Sequence, residues 1–515
     1  MSTPAPVAKP PMQGGKLALA TVAIGLANFM VVLDMTVANV SVPTIAGSIG
    51  VSPTQGTWII TSYAVAEAII VPLCGWLVAR FGTVKTFVSA MLGFIMMSAA
   101  CGLSRSLEML VFFRILQGLC GGPIMPLSQA LLFASYPREK FAVGQGVWAM
   151  TTILGPVMGP ILGGYISDEH SWPWIFFINV PFGLLTVMAV WRLYKDRETP
   201  TRHIPIDRIG LALMVMAIGS MQIVLDKGRE LDWFGSPVII ALTVISVVCF
   251  TFFIAWELTD KNPIVDLHLF QNREFTIATL TLSLVFAVYF ASVVVIPQWL
   301  QRYMGYPALT AGLVLASNGV LAMLLAPMIA RQVGRIDPRL MVSASMVIFM
   351  ITFSVRAHFT SSVTFWQILT PQFFQGLAMG LFFLPLSIVA LGHLQQNQVA
   401  SASGLMAFVR STAAAFAASI STTLWDNQIG RHHAQLVENV TAGNPAVASQ
   451  LHRLDAIGFS SQQTLAALDQ TVLGQAVQLA TNDVFAWMVP IFAAAALLIW
   501  FTRPPEKGAG PAAAH

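Results

Sequence analysis

Apolar runs long enough to cross a bilayer recur along this chain from Lys16 to Trp500. Crossing about 30 Å of hydrocarbon takes roughly 20 residues of helix, and a backbone in lipid must satisfy its hydrogen bonds within the segment. About fourteen such runs are legible, centred near residues 30, 68, 94, 121, 153, 183, 217, 247, 287, 318, 349, 378, 413 and 492. The pattern predicts an all-α membrane protein of about fourteen transmembrane helices. Charge agrees: 10% of residues are charged, against about 25% in a soluble domain.

The distribution of Lys and Arg sets the orientation, because positive charge stays on the cytoplasmic side. With the N-terminus inside and the connections alternating, 18 of the 27 Lys and Arg fall on inner segments and 7 on outer ones, Lys227 and Arg356 among the latter. Arg114 and Arg410 lie within spans. Both termini are therefore expected in the cytoplasm. The net charge of +4 is spread over short loops, which does not suggest nucleic acid as a partner. Cys74, Cys101, Cys120 and Cys249 all sit in apolar runs, with neither disulfide nor metal-site spacing. The Pro-rich start of the chain lacks a small-residue cleavage site after the first apolar run, so no signal peptide is read there.

An internal repeat divides the chain. Phe113-Arg114-Ile115-Leu116-Gln117-Gly118-Leu119 precedes Pro126-Leu127-Ser128, and Gln372-Phe373-Phe374-Gln375-Gly376-Leu377 precedes Pro385-Leu386-Ser387. Duplicated halves with sites near the midplane are the build of many secondary transporters. Arg114 has become Gln372 in the second copy. The expected division is a tail over 1–15, a six-helix half over 16–194, an inserted helix pair with its flanking loops over 195–274, a second six-helix half over 275–502, and a tail over 503–515. One outer connection, 426–483, is long and polar. Its spacing permits short amphipathic helices near 447–454 and 462–479, and a connection of that length is a docking surface or a loosely structured loop.

Chemistry is expected where charge enters lipid. Asp34 is a carboxylate inside the first apolar run, and placing it there costs about 2.5–3.5 kcal/mol on insertion scales, so it calls for a partner. At 1.5 Å per residue it lies about 27 Å beyond Lys16, at a depth similar to that of Arg114. A buried Arg keeps a neighbouring carboxylate ionised, and breaking that contact lets it protonate. The pair reads either as a proton-coupling site or as a static ion pair that fixes packing. Glu67, the deepest carboxylate, is a second proton carrier, a contact for a cationic substrate, or simply a side chain facing a wet cavity. Polar and aromatic side chains in the spans, Asn39, Gln117, Gln129, Trp148, Gln298, Asn318, Gln372 and Gln375 with Arg410, are candidates for a substrate cavity. The 24 Met suit an adaptable apolar cavity or lipid contact. Gly155, Pro156, Gly159, Pro160, Gly163 and Gly164 form a dense run in which small residues let helices approach closely and prolines favour a kink. No metal-site spacing and no phosphate-binding Gly-Lys-Ser/Thr loop is present. No cofactor is expected, and energy must come from an ion gradient.

Residues 33–43, 75–85, 114–118 and 155–164 together resemble the four signature motifs of the major facilitator superfamily, and specifically its fourteen-span drug:proton antiporters. Residues 172–181 and 262–270 are in the same style. The resemblance runs from about Lys16 to Trp500. It implies a bacterial inner-membrane, proton-driven exporter of hydrophobic, often uncoupler-like or cationic, compounds, working with a periplasmic membrane-fusion adaptor and an outer-membrane channel. It implies proton coupling for Asp34 and Arg114, the antiporter motif for the 155–164 run, and adaptor contact for 426–483. One departure stands out: the family's inner loop often carries Asp where this chain has Ala79, and basic residues where it has Thr83 and Val84. A charge relay at that loop is therefore not expected. The competing readings are a proton-linked uptake permease and a membrane enzyme or receptor that moves nothing.

Overall fold

The computed structural model describes residues 11–137, 147–148, 151, 154–155, 158–159, 162–163, 165–166, 169–201, 205–260, 263–332, 335–392, 394, 399–438, 440–441, 447, 449, 451 and 460–503. Among the described residues the chain is helical, with twelve helices long and apolar enough to cross a membrane. A thirteenth expected span is the helix Ala308–Gln332. The fourteenth, near residue 153, lies largely outside the described residues. The exposed Ile240, Val244, Val247, Val248 and Phe252 of Pro237–Thr259 face outward from the bundle, as a surface solvated by lipid requires.

The buried side chains gather into separate cores. Residues of the first helix Gly14–Ile49 pack with Thr83–Gly102, Ile124–Ser135 and Asn179–Tyr194 in one group. A larger core joins Arg273–Arg302, Pro338–Arg356, Phe365–Leu391, Val399–Val437 and Ser461–Leu498. Arg208–Lys227 and Pro237–Thr259 pack on each other. The first of them also touches Trp58–Ile70 and Val399–Val437. At one end Lys227 donates to Thr57 and reaches Glu230 at 2.8 Å, while Arg229 meets Asp426 at 2.7 Å. The helix pair thus touches elements of both groups. Lys227, read from the sequence as an outer-loop charge, is 3% exposed at the end of its helix.

Local sequence fixes the helix ends. Ser106, Asp207, Asn272, Asp337 and Ser460 each accept a backbone N–H at the start of a helix, satisfying donors a helix leaves open. The turn at Gly82 has φ of 90°, a region glycine enters without a Cβ penalty. Glu198 then accepts from Val84 and Lys85 N–H at 2.9 Å each, and Thr199 accepts from Thr83 N–H at 2.9 Å. The segment after Tyr194 therefore caps Thr83–Gly102, and a carboxylate stands at that helix N-terminus.

The polar connection 426–483 is not mainly loop. Val399–Val437 continues through Asp426, and Ser461–Leu498 begins well before Asp483. The first has 39 residues, about 58 Å at 1.5 Å per residue, nearly twice the hydrocarbon thickness. His432 meets Asp483 at 2.7 Å and His433 meets Asp469 at 2.9 Å, fastening the two extensions together. The expected helix at 462–479 lies within Ser461–Leu498. Most of 447–454 falls outside the described residues.

Candidate functional site

Asp34 is held from three directions. Its Oδ2 accepts from Arg114 Nη1 at 2.6 Å. Its Oδ1 accepts from Gln117 Nε2 at 3.0 Å and from Asn179 Nδ2 at 2.8 Å. The side chains of Asp34 and Arg114 are 1% and 0% exposed. Arg114 and Gln117 lie one turn apart on Leu107–Gly121, so both reach the same carboxylate. Arg114 Nη1 also donates to Gln117 Oε1 at 2.9 Å, and its Nε to the Ile59 carbonyl at 3.0 Å. Asn179 donates to Ser98 Oγ at 3.0 Å, and Ser98 to the Phe176 carbonyl at 2.9 Å.

The helix carrying Arg114 is pressed against Trp58–Ile70. A Cβ at Gly118 would meet the Tyr63 carbonyl, and one at Gly121 the Tyr63 hydroxyl. That contact lays the Tyr63 ring 4.3 Å from the Arg114 guanidinium. Arg114 Nη2 and the Tyr63 hydroxyl are both buried without a hydrogen-bond partner. The carboxylate thus accepts three hydrogen bonds, whereas one nitrogen of the guanidinium is buried unused. Removing one member of such a buried pair costs about 3–5 kcal/mol.

Glu67 stands one turn beyond Tyr63 on the same helix and is partly exposed. Asp34 and Arg114 lie within electrostatic reach of it. Gly155, Gly159 and Gly163 lie against the first helix. Cβ atoms at Gly155 and Gly159 would strike Val32 and Thr36, and one at Gly163 would sit 3.2 Å from the Val37 carbonyl. Those three glycines therefore border the helix face beside Asp34. Pro156, Pro160 and Gly164 lie outside the described residues.

The remaining candidates scatter. Gln117 belongs to Asp34. Trp148 is 7% exposed and donates to Ser128 Oγ at 2.9 Å. Gln298 donates to the Val294 carbonyl at 3.3 Å, Gln129 is partly buried, and Asn39 is exposed. Gln372 and Gln375 both accept from Arg356, and Asn318 donates to the Tyr289 hydroxyl at 3.2 Å. Arg410 is partly exposed with its guanidinium 5.0 Å from the Phe286 ring. A cavity of about 100 Å³ opens between Pro72, Trp76, Ala79, Val265, Leu405 and Phe408, well under the roughly 300–1,000 Å³ of a drug-sized pocket. Sequence reasoning missed the part Asn179 and Ser98 play. Their signal was slight: small polar residues among other Ser and Thr on largely apolar helices.

The model of the Major Facilitator Superfamily matches residues 24–418. The chain is 46% identical over 507 residues to the Multidrug export protein EmrB of Escherichia coli (strain K12), covering 98% of this chain and 99% of that one. It is 43% identical over 501 residues to the Fatty acid resistance protein FarB of Neisseria gonorrhoeae, covering 97% and 99%. Among solved structures, the human organic anion transporter MFSD10 (TETRAN) superposes with a TM-score of 0.52 at 13% identity, over 93% of this chain and all of that one, a likeness of fold. With a family model matched over most of its length and relatives above two-fifths identity end to end, the chain belongs to the major facilitator superfamily of membrane transporters.

Proposed function

We propose that this protein is a proton-driven antiporter of the bacterial inner membrane that exports hydrophobic toxic compounds by alternating access. The observation that carries the reading is the buried Asp34–Arg114 pair, with Gln117 and Asn179 completing the carboxylate's shell. Breaking it costs about 3–5 kcal/mol. One proton moving through 100 mV supplies about 2.3 kcal/mol. One proton at 100 mV therefore offsets roughly half to three-quarters of that cost, and differential binding of the exported compound must supply the rest. Proton entry neutralises Asp34, frees Arg114, and loosens the first helix against Leu107–Gly121. Loss of the proton inward restores the pair. Glu67 is read as a second proton carrier or as the contact for a cationic compound.

The relatives' names, a multidrug exporter and a fatty acid resistance protein, support apolar and amphiphilic substrates. The joined helical extensions of Val399–Val437 and Ser461–Leu498 suit a periplasmic surface on which a membrane-fusion adaptor docks, leading to an outer-membrane channel. The test is transport in liposomes with an imposed pH gradient. Wild type is expected to accumulate a fluorescent drug against its gradient, and Asp34→Asn to lose that accumulation. A variant that still concentrates the dye removes Asp34 from the mechanism.

A further inference from the structure

The second half of the chain buries another guanidinium, and among the described residues it faces no acid. Arg356 ends the helix Pro338–Arg356 and is 1% exposed. Its Nη2 donates to Oε1 of both Gln372 and Gln375. Its Nη1 and the Nε2 atoms of both glutamines are buried without partners, as is Asn318 Oδ1. Among the described residues no carboxylate pairs with it; its other neighbours are the rings of Phe353 and Phe485, at 4.8 and 5.9 Å.

The cluster is built on the same frame as the Asp34 site. Ser98, Arg114 and Gln117 recur at identical spacing as Arg356, Gln372 and Gln375. Gly118 closes on the Tyr63 carbonyl, and Gly376, the next residue in the second copy, on the Asn318 carbonyl. In the first half an acid on the leading helix neutralises the guanidinium. In the second half the leading helix Arg273–Arg302 brings the neutral Tyr289 hydroxyl, in contact with Asn318. A desolvated cation requires a counter-charge, and here three N–H donor groups of one cluster are buried without a partner. His358, two residues beyond Arg356, is exposed, so the cluster lies close beneath the surface.

We infer that Arg356, Gln372 and Gln375 form a binding site for a monovalent anion: the carboxylate or phenolate head of an amphiphilic compound, or chloride. The free Nη1 donates a charge-assisted hydrogen bond to the anion, and the two glutamine amides complete the shell. The bound anion does for Arg356 what Asp34 does for Arg114. The site goes beyond the antiport reading, and binding measured without a gradient tests it independently of proton coupling.

The experiment uses the full chain in lipid nanodiscs. Sodium chloride is titrated against sodium isethionate, which carries no carboxylate or phenolate, at fixed ionic strength, and sodium 2-naphthoate against its neutral analogue 2-naphthalenemethanol. Binding is read by the shift of the unfolding midpoint and by naphthoate fluorescence. Wild type is expected to respond to chloride, to naphthoate or to both, and not to isethionate or the alcohol. Response to naphthoate alone identifies an organic acid head, response to chloride alone an inorganic anion, and competition between them a shared site. Arg356→Gln is expected to weaken binding by about tenfold or more, the scale of a lost hydrogen bond to a charged group, with Arg356→Lys retaining most of it. Should Arg356→Gln fail to fold, Gln375→Leu, which removes one donor, is expected to weaken binding several-fold. A wild type indifferent to both anions, or variants that bind as wild type does, overturns the site.

Discussion

The Thr36 hydroxyl, half a turn from Asp34, is shared between the carbonyl oxygen of Gly155 at 3.1 Å and those of Val32 and Leu33 in its own helix at 3.0 Å each. The glycine run is thereby tied to the helix that carries the carboxylate. A Cβ at Gly159 would enter the space held by Thr36. Gly159→Ala is therefore expected to destabilise by about 1–3 kcal/mol, the usual cost of overpacking. Gly75→Ala meets nothing within 4 Å and is expected to be neutral or stabilising by up to about 1 kcal/mol. Thermal unfolding in detergent separates the two.

Asp34 and Arg114 are expected to behave as a unit. Removing either alone strands the other in a dry site, costing about 3–5 kcal/mol. Asp34→Asn combined with Arg114→Gln removes both charges, and the double variant should lose less than the sum of the singles. The coupling is expected at the upper end of the roughly 0.5–3 kcal/mol found for contacting residues. A four-member unfolding cycle measures it, and additivity would show that the pair is not energetically joined.

Much of this site was legible before any coordinates. An acid and a guanidinium in apolar runs at like depth are rare enough to read directly, and the structure sets them 2.6 Å apart. The glycine run was visible from its spacing, although the helix it faces was not. What stayed hidden was set by tertiary packing. Asn179 reaches Asp34 from far along the chain, which no local period encodes. Arg356 counted as an outer-loop charge because it sits where an apolar run ends, yet it is 1% exposed. Segment 426–483 looked like a connection because its polarity broke the apolar pattern. Polarity marks where a helix leaves lipid, not where it stops being helix.

The cap at Thr83–Gly102 makes a separate prediction. Glu198 accepts two N–H groups there. Glu198→Ala is expected to cost about 0.5–2 kcal/mol, as for other caps, and Glu198→Gln less than that. Gly82→Ala combines a φ of 90° with contact against Glu198 and should cost more than either. Unfolding midpoints of the three variants give the order.

Asp337 introduces a pH dependence outside the spans. Its carboxyl is held below the usual carboxylate range, chiefly by hydrogen bonding to Arg339, which also donates from its backbone. A depressed value means the stabilisation is present above the unfolded-state value near 4 and is lost as pH falls through the lower folded value. The Asp337 side chain is 27% exposed, and a pair that water reaches is worth less than about 1 kcal/mol. Asp337→Asn should cost up to about 1 kcal/mol at neutral pH, together with the weakened cap, and converge on wild type below about pH 4, so that its loss of stability on acidification is flatter.

The most direct test of proton coupling is equilibrium binding of an exported compound to the purified protein as a function of pH. If that compound and a proton on Asp34 exclude one another, wild-type affinity rises with pH. The slope approaches but does not exceed about tenfold per pH unit, the limit for one displaced proton, and Asp34→Asn binds with no such dependence. An Asp34→Asn protein that keeps the wild-type pH profile, or a wild type whose affinity ignores pH, contradicts the account.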